Sequence, residues 1–227
     1  MKNKIAIVTG GTKGIGKALV SKFINAGFKV FTCARKNENI NQFGSNCVFF
    51  KADLSKKEEV IAFADFILSK TSTIDVIVNN TGVFIPGQIH NEDDGNLELQ
   101  INTNLYSAYH LTRKLISIMI DAKKGHIFNI CSIASVTPYD NGGSYSISKY
   151  AMYGMTKCLR EEMKPLGVKV TAVLPGATFT ASWDGMDVDE NRLMPADDIA
   201  DSIYGVYNLS NRTVVEDLVL RPQLGDL

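Results

Sequence analysis

The chain has no excess of charge of either sign, because 24 Lys and Arg residues are matched by 24 Asp and Glu. That balance argues against the basic stripe of a nucleic acid partner and the polybasic face of a protein bound to an anionic membrane. Paired cysteines are missing too. Cys33, Cys47, Cys131 and Cys158 are scattered without a CxxC spacing, and Cys33 and Cys131 fall in apolar, strand-like runs where a thiol is a small core residue. This usage predicts a reduced, cytoplasmic protein with no metal centre. No apolar run approaches a membrane span, and the opening MKNKIAIVTGG enters a short apolar strand directly, so neither insertion nor export is expected. Internal repeats and low-complexity tracts are likewise absent, which leaves a small molecule as the expected partner.

What the sequence does carry is an alternation. KIAIVTG, KVFTCAR, CVFFKADL, DVIVNNTG, GHIFNICS, VKVTAVLPG and VVEDLVLRP are short apolar, β-branched runs separated by helical patterns. Strands that are apolar along their whole length suit a sheet covered on both faces, and strand–helix alternation implies right-handed crossovers between parallel strands. The expectation is one doubly wound, Rossmann-like α/β domain over residues 1–227, with a seven-stranded parallel sheet. In such sheets ligands gather beyond the carboxyl ends of the strands. One long stretch, FTASWDGMDVDENRLMPADD at 179–198, reads as irregular, and loops of that length in a compact domain are usually functional or mobile.

The first strand ends in TGGTKGIG, Thr9 to Gly16, and continues into the helical KALVSKFINAG. Glycines allow a tight turn and a close backbone approach, and the helix that follows offers unpaired N–H groups to a phosphate. Gly10, Thr12, Lys13, Gly14, Ile15 and Gly16 are therefore candidate cradle residues. At the end of the second strand an NAD-binding unit would carry an acid for the ribose 2′-hydroxyl, but the residues there are Ala34, Arg35 and Lys36. Arg35 with Lys13 predicts NADP(H), since each charge-assisted contact to a 2′-phosphate contributes about 1.5–3 kcal/mol and about 1.4 kcal/mol is tenfold in affinity.

A second feature is the stretch GSYSISKYAMYGMTK, Gly143 to Lys157, which contains Tyr-x-x-x-Lys twice, as Tyr145 with Lys149 and as Tyr153 with Lys157. On a helix each lysine lies on the face of its tyrosine. Spacing alone does not choose between the pairs.

Together these motifs resemble the short-chain dehydrogenase/reductase family. TGxxxGIG stands at Thr9–Gly16, NNTG at Asn79–Gly82 where the family has NNAG, Ser132 in NICSIAS, Tyr145 with Lys149, and PGATFT at Pro175–Thr180. The resemblance spans essentially the whole chain. In the family the catalytic tyrosine stands near the start of the helix after strand five, so the resemblance selects Tyr145 and Lys149 and leaves Tyr153 and Lys157 as packing and surface residues. It implies a tetrad of Asn104, Ser132, Tyr145 and Lys149, with Asn104, in preference to its neighbour Asn102, holding a proton-relay water. It further implies cofactor contacts from Asp53, Leu54, Asn80, Gly82, Pro175, Gly176, Thr178 and Thr180, and from Lys149 to the nicotinamide ribose. Locally, Asp53 reads equally well as a strand-end cap. Thr81 departs from the family's alanine and places a hydroxyl beside the expected cofactor.

A ketone that accepts hydride gathers negative charge on its oxygen, so it needs a proton donor and a polarising hydrogen bond there. Tyr145 is the expected donor and Ser132 the polarising hydroxyl, while the Lys149 ammonium favours release of the phenol proton. The expected reaction is NADPH-dependent interconversion of a carbonyl and an alcohol. The alternatives are a 3-oxoacyl-acyl-carrier-protein reductase of fatty acid synthesis, which shares every motif, and a non-catalytic dinucleotide sensor, which would not need the tetrad. Within 179–198, Trp183, Met186 and Met194 are the expected substrate cover, with simple local packing as the alternative, and the acids Asp184, Asp187, Asp189 and Glu190 make a strongly anionic substrate tail less attractive without excluding it. Small and apolar residues on NLYSAYHLTRKLISIMIDA and SKYAMYGMTKCLREEMK, including Ala151 and Gly154, exceed what one sheet contact needs. With the family's habit of pairing these helices, they predict a homodimer or homotetramer.

Overall fold

A computed structural model describes residues 4–38, 40–180, 183, 185 and 187–226. Its elements are β1 (Lys4–Thr9), α1 (Gly14–Asn25), β2 (Phe28–Ala34), β3 (Cys47–Lys51), α2 (Lys57–Lys70), β4 (Val76–Asn79), α3 (Asn96–Ile101), α4 (Ser107–Ala122), β5 (His126–Ile130), α5 (Gly143–Met163), β6 (Lys169–Pro175), α6 (Ala196–Tyr207) and β7 (Asp217–Leu220). The strands form one seven-stranded parallel sheet in the order β3-β2-β1-β4-β5-β6-β7. The expected Rossmann-like architecture is present, and the strand order reverses between β1 and β4, the place where open α/β sheets hold their ligands in a crevice at the carboxyl ends.

Period-two alternation shows why the runs are apolar throughout. Ile5 and Ile7 of β1 enter the core under α2 and α4, with Phe63, Leu111 and Leu115. Ala6 and Val8 of the same strand enter the opposite core under α1 and α6, with Leu19, Phe23 and Ile203. Both faces of the strand are dry, so a polar residue at either position would be buried. Cys33 and Cys131 are buried free thiols, as expected of core cysteines, and burial pushes their pKa values up to about 12 and about 11.

Two connections differ from expectation. Between β2 and β3 there is only a short 3-10 stretch, Asn41–Asn46, in place of an α-helix. The segment expected to be irregular over 179–198 ends early, because α6 begins at Ala196, and within it Glu190–Arg192 forms a 3-10 turn capped by Asp189.

Helix α5 is fixed to the sheet by polar tethers as well as by apolar contact. Asn79 donates to Asn129 Oδ1 at 2.8 Å, and Asn129 donates to Thr156 Oγ1 at 2.9 Å. Arg160 Nε donates to Val170 O at 3.0 Å, and Tyr153 OH donates to Asp217 Oδ2 of β7 at 2.7 Å. Between Ile101 and α4 the helix widens into one π-type turn, Asn102–Tyr106. Among the described residues no helix is long and apolar enough to cross a membrane, and no cluster of His, Cys, Asp and Glu could hold a metal ion.

Candidate active site

At the end of β1 the backbone turns through Gly10 (φ 69) and Gly14 (φ 50) before α1 starts. A side chain on Gly16 would begin 2.2 Å from Gly10 O, so only glycine lets the turn close this tightly. Helix α1 has no side-chain cap at Lys13 and no acid in its first turn, which leaves its N–H groups and dipole facing outward, as an anion requires. Asn80 braces the turn, its Nδ2 donating to Thr9 O at 2.8 Å. Thr9 Oγ1 in turn accepts from the Asn80 and Thr81 N–H groups, both at 2.9 Å. Thr81 Oγ1 is buried and has no hydrogen-bond partner; it lies 3.1 Å from where a Gly10 side chain would begin. An orphaned hydroxyl against a glycine turn at a helix N-terminus fits the pyrophosphate side of a dinucleotide. Thr180 closes the other side, its Cγ2 lying 3.0 Å from a Cβ placed on Gly14.

Farther along the crevice, Lys149 is buried in α5 at 4 % exposure. Its Nζ donates to Ile130 O at the end of β5, at 2.9 Å, and lies 5.7 Å from the Tyr145 ring centroid. Among the described residues no carboxylate pairs with it. A Cβ on Gly82 would meet both Lys149 Nζ, at 3.4 Å, and Asn104 Oδ1, at 3.3 Å, so Gly82, Asn104 and Lys149 converge. Two residues past β5, Ser132 is buried, and its Oγ accepts from Ala134 N–H at 3.1 Å, which leaves its own proton free to be donated.

Asn104 sits in the widened turn at 1 % exposure. Its Oδ1 accepts from Val83 N–H at 2.7 Å, and its Nδ2 donates to Val83 O at 2.9 Å and to Ser148 Oγ at 2.8 Å. Ser148 passes the link to Tyr145 O at 2.7 Å. The Asn104 carboxamide is a strut between the β4 loop and the first turn of α5, with both amide protons committed. The rival Asn102 faces a different hollow, of about 220 Å³, lined also by Leu54, Val60 and His110 between α2 and α4.

Other expected contacts sort themselves by burial. The Leu54 side chain lies in the α2–α4 core, and that of Ile15 packs partly on the α1–α6 core, which leaves their backbone groups to face a cofactor. Asp53 behaves as the local cap reading requires, Oδ1 accepting from Ser55 N–H at 3.1 Å and Ser55 Oγ at 2.8 Å. Burial opposes its charge, but the Ser55 hydrogen bonds and the Lys56 and Arg35 cations hold its pKa below the usual carboxylate range. Met194, expected over the substrate, is a core residue. Trp183 is tied down by a 3.0 Å bond from Nε1 to Thr178 O, while Asp184 and Met186 lie outside the described residues. Beyond Pro175, the Gly176–Ala177 turn is clamped from the chain's far end. Ala177 N–H donates to Asp226 Oδ1 at 3.1 Å, and Arg221 Nε donates to Asp226 Oδ2 at 2.7 Å.

The second tyrosine–lysine pair lies away from this cluster. Tyr153 bonds to Asp217, which with burial pushes its pKa up to about 12, and Lys157 rests over the Tyr153 ring. Around Tyr145 stand two rings absent from the sequence reading, Phe84 edge-on at 5.0 Å and Tyr139 at 6.5 Å. A hollow of about 560 Å³ lies beyond Tyr139, lined also by Gly87, Ile89, Gly143, Ser146 and Tyr150. Its lining includes Tyr139 but not Ser132, Tyr145 or Lys149.

Comparison with known proteins finds relatives along the length of the chain. The family described as short chain dehydrogenase matches residues 4–191. A sepiapterin reductase of Chlorobaculum tepidum is 30% identical, with 98% of each chain covered. A metagenomic short-chain oxidoreductase solved in complex with NADP is 30% identical with a TM-score of 0.84, covering 97% of each chain. The closed form of a serine dehydrogenase complexed with NADP+ is 25% identical with a TM-score of 0.88, covering 98% of this chain and 96% of that one.

Proposed function

The chain belongs to the short-chain dehydrogenase family and is an oxidoreductase, and we propose that it interconverts a small or medium carbonyl compound and its alcohol with NADP(H). The observation that carries this reading is the buried Lys149. Burying an ammonium without a carboxylate costs several kcal/mol, on the order of the stability a whole domain has to spare, and a purely structural helix would not keep one. Its place between the Ile130 carbonyl and the Tyr145 ring gives it a use, since a nearby positive charge stabilises a phenolate.

Bound NADPH would supply the hydride. On this reading the glycine turn from Gly10 to Gly16, with Thr12, Ile15, Asn80, Gly82, Thr178 and Thr180, holds the dinucleotide, and Arg35 with Lys13 meets its 2′-phosphate. Ser132 donates its free proton to the carbonyl oxygen and polarises it. Tyr145 delivers the proton that neutralises the developing alkoxide, and Lys149 steadies the phenolate left behind. Asn104 keeps Tyr145 aimed by way of Ser148. In the alcohol-to-carbonyl direction the same groups act in reverse.

The test is a pair of conservative deletions. Tyr145→Phe should keep its fold and its NADPH affinity while turnover of any accepted carbonyl falls about 100-fold or more, whereas Tyr153→Phe should keep most activity. A Tyr145→Phe protein near the wild-type rate, or a dead Tyr153→Phe protein, would overturn the assignment. The same reading includes a homodimer or homotetramer built on α4 and α5. In support, Tyr109, Ile147 and Tyr150 are exposed there, and Gly154 has open space where a side chain would begin.

A further inference from the structure

Three cations cluster where the adenosine ribose of the cofactor should lie, namely Lys13 in the glycine turn and Arg35 and Lys36 after β2. The structure adds two carboxylates that oppose them. Glu38, four residues past the end of β2, places Oε2 2.9 Å from Lys13 Nζ. That hydrogen bond, with the Lys13 and Lys36 charges, holds the Glu38 pKa below the usual range. Asp53 in turn feels the Arg35 charge. Glu38 and Asp53 thus offset part of the positive charge that Lys13, Arg35 and Lys36 bring to the site.

We infer that Glu38 is a specificity-determining residue that weakens the preference for a 2′-phosphate by competing with it for Lys13. This inference rests on the proposed use of NADP(H). A 2′-phosphate carries about 1.5 to 2 negative charges at neutral pH if it titrates like other phosphomonoesters, so it repels the Glu38 carboxylate and must draw Lys13 away from it. The 2′-hydroxyl of NADH carries no charge and leaves the ion pair as it is. Glu38 therefore acts against one cofactor and is neutral towards the other. Because both side chains are partly exposed, water and salt screen the pair, and the effect is moderate.

The experiment is direct binding of NADPH and of NADH to the full chain, by calorimetry or nicotinamide fluorescence, for wild type, Glu38→Gln, Lys13→Met and the double variant. Glu38→Gln should tighten NADPH about three- to tenfold and change NADH less than about twofold. In the Lys13→Met background the gain from Glu38→Gln should shrink to below about twofold, because the contested cation is gone. NADPH affinity unchanged in Glu38→Gln, or an equal gain with and without Lys13, would overturn the inference. So would weaker NADH binding in Glu38→Gln, which would make the carboxylate an acceptor for the 2′-hydroxyl. If the wild-type protein bound neither dinucleotide, the proposed function itself would fail and this inference with it, an outcome distinct from unaltered selectivity in a protein that binds both.

Discussion

Replacing Asn104 with alanine removes three hydrogen bonds at once, two to the Val83 backbone and one to Ser148 Oγ. Each is worth about 1 kcal/mol net, and a partner left unpaired in the interior costs about 1–3 kcal/mol. Val83 is partly exposed and can turn to water, and the buried Ser148 Oγ keeps its bond to Tyr145 O, so no group is left wholly unpaired and the penalty stays at the low end. The sum is a destabilisation of about 2–4 kcal/mol, and at an m value of about 2–3 kcal/mol/M the urea midpoint should fall by about 1 M. The same bonds connect the β4 loop to the carbonyl of Tyr145, and a misplacement of about 1 Å in reacting groups costs about 100-fold. Turnover at saturating NADPH should therefore fall about 10- to 100-fold. Asn104→Asp, with the same volume, separates lost hydrogen bonds from lost packing: an acceptor would face Val83 O, so its midpoint should fall as well. Urea unfolding at fixed protein concentration and NADPH-oxidation rates are the two measurements. If turnover collapsed while both midpoints stayed at the wild-type value, Asn104 would act on the reacting atoms and the strut reading would be wrong.

Two further outcomes follow from the fold. His126 is buried, and Thr171 Oγ1, which donates to Val215 O, accepts its Nε2 proton, while Nδ1 is buried without a partner. Burial, with the Lys169 charge, drops its pKa to about 3, below the unfolded value of about 6.5. Stability is then fully present above about pH 6.5 and is lost as pH falls towards 3, by about 2 kcal/mol at pH 5; a His126→Phe variant with an equally steep pH dependence of urea unfolding would exclude this origin. Light scattering at micromolar concentration should give two or four times the 24.9 kDa chain mass, and a monomeric mass would count against pairing through α4 and α5.

How much of this was legible in the sequence depended on whether the signal was local. The seven strands were legible because a strand buried on both faces has to be apolar at every position, as in Val76 to Val78. The glycine turn was legible because its backbone geometry excludes other residues. The strut was not, since Val83, Asn104 and Ser148 are far apart in the chain and nothing in NTNLY announces a widened turn. Tyr153 found its partner Asp217 across 64 positions, a pairing invisible before folding. Met194 was ambiguous, because a methionine in an irregular stretch suits a substrate contact or local packing alike, and its burial with Ile199 and Ile203 of α6 favours packing. Glu38 was readable in principle, as an acid just past the cationic end of β2, but only the distance to Lys13 shows that it competes.

The polar tethers of α5 give that helix an azimuth as well as a position. Apolar contacts let a helix roll, because one methyl group can slide past another at little cost, whereas hydrogen bonds fail when their direction changes. A roll of roughly 10° would carry a side-chain tip about 6 Å from the axis through about 1 Å, the size of error that disables a catalytic group. Lys149, Thr156 and Arg160 each bond to the sheet from α5, and Arg160 stands about 22 Å along the axis from Tyr145. The aim of the tyrosine is thus set along the whole length of the helix, so a polar deletion near its far end can act on the chemistry as an active-site mutation does.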